Sequence, residues 1–81
     1  MYKITKTVDN VETINLVFDY REQAREVFND LKYDEFVIFK KLYENTFNKE
    51  TREETVNGEL VYNEYKLSVP NFNIIITLEY V

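Results

Sequence analysis

The sequence predicts an α+β fold, ββαβββ, in which one mostly antiparallel five-stranded sheet carries a single helix packed on one face. Three observations predict it. Apolar and polar residues alternate on either side of turn signals at both ends of the chain. One stretch repeats its apolar residues at helical spacing. From Glu35 onward the period returns to two. The 81 residues leave room for one domain, residues 1–81, with a thin core. Hydrophobic and aromatic fractions of 44% and 16% are enough for that core and lie outside the disordered class.

The first hairpin comes from Tyr2, Ile4 and Val8, the turn signal Asp9-Asn10, and then Ile14, Leu16 and Phe18. A three-residue loop of Asp9, Asn10 and Val11 places Ile4 opposite Leu16 and Tyr2 opposite Phe18, gathering the apolar residues on one face. A two-residue turn scatters them.

The helix is expected from about Tyr20 to Lys32. Tyr20, Ala24, Val27, Phe28 and Leu31 form one apolar stripe, and Arg21, Glu22, Arg25, Glu26, Asn29 and Asp30 form the wet side. Asp19 is the expected N-cap, with Glu22 three residues later in the manner of a capping box. A strand is expected next, with Phe36, Ile38 and Leu42 on one side and Val37, Phe39 and Tyr43 on the other.

The polar stretch Asn48 to Glu59 ends in Asn57-Gly58, the preferred two-residue hairpin turn, so Thr51–Val56 is expected to pair with Glu59–Glu64. A second turn, Val69-Pro70-Asn71-Phe72, has proline where its fixed φ is useful. It sets Val69 opposite Phe72, Leu67 opposite Ile74, Tyr65 opposite Ile76, Asn63 opposite Leu78 and Val61 opposite Tyr80. This is the core face. Two spatial orders accommodate the strands. A right-handed crossover with sequence neighbours paired favours 2-1-3-4-5; the order 2-1-5-4-3 places the apolar 72–81 strand in the middle.

The chemistry is sparse. Histidine, cysteine and tryptophan are absent, so the usual general base, the thiolate and the commonest metal ligands are missing. One glycine cannot build a phosphate-binding glycine loop, and Ser68, the only serine, has no histidine to activate it. Adjacent acids such as Asp34-Glu35 and Glu53-Glu54 would point to opposite faces of a strand. No catalytic, cofactor-binding or metal site is therefore assigned, and the chain is expected not to be an enzyme. The absence of cysteine and of an apolar leader core in residues 1–6 points to a cytoplasmic setting. The longest apolar run, Ile74–Ile76, is far too short to cross a membrane.

A net charge of −5, from 15 acids and 10 bases, disfavours direct nucleic-acid binding. It also argues against a DNA mimic. A duplex carries one charge per about 1.7 Å, so a mimicking face about 25 Å long needs roughly 15 uncompensated acids. Here the 15 acids are interleaved with bases.

One helix covers one sheet face, so Val37, Phe39, Tyr43, Leu60, Tyr62, Ile75 and Val81 are expected on the other. From this set Tyr43, Leu60, Tyr62 and Ile75, rimmed by the acids Glu53, Glu54 and Glu59, are the expected protein-interaction residues.

The stretch Phe18-Asp19-Tyr20-Arg21-Glu22-Gln23-Ala24, continuing through Leu31-Lys32 to Glu35–Lys40, resembles small proteins of bacteriophages and mobile elements in low-GC Gram-positive bacteria. The resemblance covers about half the chain. Nine asparagines and seven lysines fit an AT-rich genome of that kind. It implies an accessory protein that binds and modulates a host protein, here through the uncovered sheet face and the acidic 48–59 segment. The alternatives are self-association as a homodimer through the same face and, against the weight of the charge count, an acidic DNA mimic that inhibits a nucleic-acid-binding host enzyme.

Overall fold

The protein is described by a computed structural model covering residues 1–81. The elements run β1 (Tyr2–Val8), β2 (Val11–Phe18), α1 (Arg21–Tyr43), β3 (Asn48–Val56), β4 (Glu59–Val69) and β5 (Phe72–Tyr80). The five strands form one antiparallel sheet in the order β2-β1-β5-β4-β3, with α1 on one face.

Both predicted end registers are present. Tyr2 pairs with Phe18 and Ile4 with Leu16. At the other end Val69 pairs with Phe72, Leu67 with Ile74, Tyr65 with Ile76 and Asn63 with Leu78. The first turn differs in detail. Asp9 and Asn10 both adopt positive φ in a two-residue turn, and the extra residue is taken up as a bulge near Thr13 instead of in the loop. The bulge restores the register that keeps Ile14, Leu16 and Phe18 on the helix side. Asn57 and Gly58 likewise both have positive φ, as their turn requires.

The segment 35–43 is helix, not strand. The stripe of Ala24, Val27, Phe28 and Leu31 continues through Glu35, Phe36, Phe39 and Tyr43 at the same spacing, and no glycine or proline interrupts it. Glu35 disguises this continuity, because it places an acid where the stripe should be apolar. In the fold Glu35 is buried, and its carboxylate accepts a hydrogen bond from the Lys6 ammonium of β1. The predicted cap is also corrected. Tyr20 is the N-cap and makes no side-chain cap bond, so Asp19 does not cap the helix. At the far end Glu44 turns to positive φ and donates its N–H to the Lys40 carbonyl, which stops the helix.

The strand order follows from this correction. With 36–39 in the helix, the third strand is β3, NKETREETV, with five charged residues in nine. A strand of that composition belongs at an edge, and every residue of β3 is exposed. The apolar β5 takes the centre, with Ile74, Ile76 and Leu78 buried. The favoured order 2-1-3-4-5 is thus replaced by 2-1-5-4-3.

Length matching explains why the helix is long. Twenty-three residues span about 34 Å at 1.5 Å each, against a longest molecular extent of 36 Å. The core between the layers is Ile4, Ala24, Phe28, Phe39, Tyr65, Leu67, Ile74, Ile76 and Leu78. A helix ending at Lys32 would have left the end holding Leu67, Ile74 and Phe72 uncovered. Phe39 closes that end, with ring centroids 6.0 Å from Phe72, 5.6 Å from Phe47 and 5.3 Å from Tyr43. The helix is not apolar enough to cross a membrane.

Width is not matched. A helix about 10 Å across cannot cover five strands spaced about 4.8 Å apart. The accessible surface is 5686 Å², where a compact monomer of 9.8 kDa has roughly 5,200 Å². The excess is roughly 500 Å², and the outer strands β2 and β3 are the most exposed elements of the sheet.

Two stability outcomes follow. Phe39→Ala is expected to cost about 3–5 kcal/mol in urea unfolding, as a large core truncation, while Asp19→Ala costs less than about 0.5 kcal/mol because no cap is lost. Lys6→Met is expected to cost about 3 kcal/mol by leaving Glu35 buried and unpaired, and adding Glu35→Leu restores or exceeds the parent stability. A double variant as unstable as Lys6→Met alone would show that the pair is not what positions α1 on β1.

Candidate interaction surface

The uncovered sheet face is polar. Across the strands run the rows Val17-Lys3-Glu79-Tyr62-Glu54, Asn15-Thr5-Thr77-Glu64-Arg52 and Thr7-Ile75-Lys66-Glu50. Lys3 stands beside Glu79, Arg52 beside Glu64 and Lys66 beside Glu50, so opposite charges neighbour one another. The Thr5 and Thr77 hydroxyls hydrogen-bond to each other. This face is served by its own side chains and leaves no apolar patch.

The expected apolar set therefore does not come together. Val37, Phe39 and Tyr43 belong to α1, and Phe39 and Tyr43 are part of the aromatic cluster at the C-terminal end of the helix. Ile75 lies half-buried on the polar face between Thr7 and Lys66. Tyr62 shares that face. Its hydroxyl donates to the Glu64 carboxylate over 2.8 Å, and the Arg52 guanidinium sits 5.1 Å from its ring centre. Glu53 and Glu54 point to opposite faces of β3, opposite Asn63 and Tyr62 respectively, and Glu54 pairs with Arg52 at 3.7 Å. No group of three or more acids converges in a way that would hold a cation.

Leu60, Tyr62 and Glu59 do meet, at the end of the sheet where β1 begins and β5 finishes. A cleft of about 440 Å³ opens there, lined by Tyr2, Arg21, Val56, Asn57, Glu59, Leu60, Val61 and Tyr80. A small adjoining recess adds Arg25, Tyr62, Leu78 and Glu79. Each wall has a local cause. The register of β4 against β3 shifts between Glu54 and Thr55, so Val61 is an extra residue and the adjacent Leu60 and Val61 both reach the cleft. The Asn57-Gly58 turn holds Val56 and Glu59 beside them. The first turn of α1 supplies Arg21 and Arg25, one helical turn apart on one side. Tyr2 and Tyr80 pair across β1 and β5, their rings edge to face at 5.2 Å.

The cleft is amphipathic. Tyr80 and Val56 are each 57% exposed at its rim. The molecule has two ion pairs, Lys6–Glu35 and Arg52–Glu54, so Arg21 and Arg25 are unpaired. Glu59 and Glu79 also line the cleft region, which limits its net positive charge. Helical spacing places both arginines on the wet side of α1. Their i, i+4 spacing was visible, but their place beside the β3–β4 turn depends on a contact between distant elements. No protein-family model, curated protein or solved structure matches the chain.

Burial raises the hydroxyl pKa of Tyr62 above the ordinary tyrosine value near 10, and the neighbouring Glu64 adds to the shift against a smaller opposing effect of Arg52. Burial alone raises that of Tyr65. A raised folded-state pKa means that the stability these groups contribute is complete below the unfolded value near 10 and is lost as pH rises through the folded value. Urea midpoints should fall as pH rises above about 10 in the parent, and fall less in Tyr62→Phe/Tyr65→Phe. Equal losses in parent and double variant would assign the alkaline sensitivity to other groups.

Proposed function

We propose that this protein is a non-enzymatic interaction module that seats a segment of a partner protein in the cleft between the first turn of α1 and the β3–β4 turn. One observation carries the reading. The cleft sets tyrosines and an unpaired arginine, residue types enriched among those that carry most binding energy at protein interfaces, around an aliphatic floor. Leu60 and Val61 offer an apolar floor, Tyr2 and Tyr80 amphipathic walls, and Arg21 with Arg25 a complement to acid. The segment it fits is a bulky apolar residue beside an acidic one. The resemblance to phage and mobile-element proteins is consistent with a host protein in the cytoplasm as the partner. The acids of β3, Glu50, Glu53 and Glu54, act in this reading as guards of an exposed edge.

Selection of a displayed random-peptide library against the intact chain tests this. Enriched peptides should share an acidic residue next to Leu, Phe or Trp. Arg21→Glu and Leu60→Lys should each weaken those peptides by at least about tenfold, and Glu54→Lys on the polar face should leave them unchanged. Peptides whose binding ignores Arg21 and Leu60, or an absence of enrichment, would defeat the proposal.

A further inference from the structure

The two outer strands are treated in opposite ways. Each presents one row of backbone N–H and C=O groups that no strand of the sheet pairs. On β3 that row is guarded by Lys49, Glu50, Arg52, Glu53 and Glu54. On β2, VETINLVF, Glu12 is the only charge, and there is no lysine and no proline. Its apolar side chains are wet, with Val11 63%, Leu16 41% and Val17 55% exposed. The helix cannot remedy this, since it lies over the middle of the sheet. On α1 itself Ile38 and Leu42 are exposed as well. The bulge at Thr13 and the charge of Glu12 both lie in the first half of β2, so from Ile14 to Phe18 the edge carries no charge, proline or bulge to keep it from pairing.

We propose that β2 pairs with β2 of a second copy, antiparallel about a two-fold axis at Leu16, joining two five-stranded sheets into one of ten strands. This surface is separate from the cleft proposed above and does not depend on it. The pairing is argued from self-complementarity. In a continuous sheet, residues opposite each other must share a face. Ile14, Leu16 and Phe18 all lie on the helix side, opposite Lys6, Ile4 and Tyr2 of β1. Centring on Leu16 puts Leu16 opposite Leu16, Ile14 opposite Phe18 and Asn15 opposite Val17. Each apolar helix-side residue then meets an apolar one. No like charges meet, because Glu12 falls opposite Tyr20 and Asp19 opposite Thr13. Extending a sheet in this way satisfies the free backbone groups and removes Leu16 and Val17 from water together. A strand of β3's composition in the same place would bring charge against the exposed leucine and valine.

The chain has no cysteine, so one introduced residue reports the register. Opposed residues in an antiparallel pair have Cα atoms about 4.5–5.5 Å apart, within disulfide reach, whereas residues offset by two positions are about 7–8 Å apart. Under mild oxidation Leu16→Cys should cross-link two chains nearly completely, and Asn15→Cys should remain uncoupled. By analytical ultracentrifugation the parent should sediment at twice its 9.8 kDa mass, with dissociation on dilution between roughly 1 mM and 1 μM. Leu16→Glu, which sets two acids face to face, should raise the dissociation constant at least about 100-fold while Thr51→Glu on β3 leaves it unchanged. Amide exchange on folded Leu16→Glu should be faster along β2 alone. A parent that stays monomeric at about 1 mM overturns the proposal, as does cross-linking at Asn15 in place of Leu16 or equal dissociation caused by Thr51→Glu.

Discussion

Everything in this molecule is arranged around one mismatch: a single helix must cover a sheet that it matches in length but not in width. Along the strands the fit is close, with 23 helical residues set against a 36 Å molecule. Across the strands the helix packs on β1, β5 and β4 and meets β2 through Phe18, leaving β3 and the rest of β2 overhanging. The core is accordingly narrow, with ten of the 81 residues buried. All the large fully buried side chains, Phe28, Phe39, Ile4, Leu67 and Ile76, lie on the line beneath the helix. The central strand is the apolar one because it receives the most cover, with Ile74, Ile76 and Leu78 buried.

The Lys6–Glu35 pair belongs to the same economy of cover. It sits on the helix face of β1, next in line to Ile4, where an apolar pair would also pack. A buried ion pair adds little net stability, because desolvation offsets most of the attraction. Its effect here is positional. A lysine on β1 and an acid midway along α1 satisfy each other in one arrangement of helix on sheet, and sliding the helix by a turn would leave both charges unpaired. The opposite sheet face uses polarity differently. Without a second helix it is left to water, and its rows of threonines and alternating charges make that tolerable.

The two surfaces of functional interest are consequences of the overhang. Where the sheet outruns the helix at the β3–β4 turn, a cleft opens between the first helical turn and the strand ends, and a bulge at Val61 turns aliphatic side chains into it. Where the sheet outruns the helix sideways, β2 is left with apolar side chains and unpaired backbone. The chain protects one edge with charge and not the other. That asymmetry is a sequence property, but it has meaning only once β2 and β3 are known to be the edges.

By itself, the sequence determined the three hairpins. Asp9-Asn10, Asn57-Gly58 and Pro70-Asn71 specify turns through their own backbone preferences, and alternation across them sets the register. It also determined the helix stripe as far as Leu31, because local periodicity carries that information. Of the candidate interaction residues, Leu60, Tyr62 and Glu59 share one end of the sheet, and Tyr43, Ile75, Glu53 and Glu54 lie elsewhere. Only the tertiary structure decided the rest. Phe36 to Phe39 fit a strand or a helix equally well by local pattern, and the choice rests on Glu35 finding Lys6, twenty-nine residues away in sequence. With that choice made, the charged segment 48–56 became the third strand, was excluded from the middle of the sheet by its composition, and fixed the strand order. Arg21 and Arg25 joined Leu60 for the same reason. Their meeting depends on where a helix end lies over a distant turn, and long-range packing, not spacing along the chain, brings the two together.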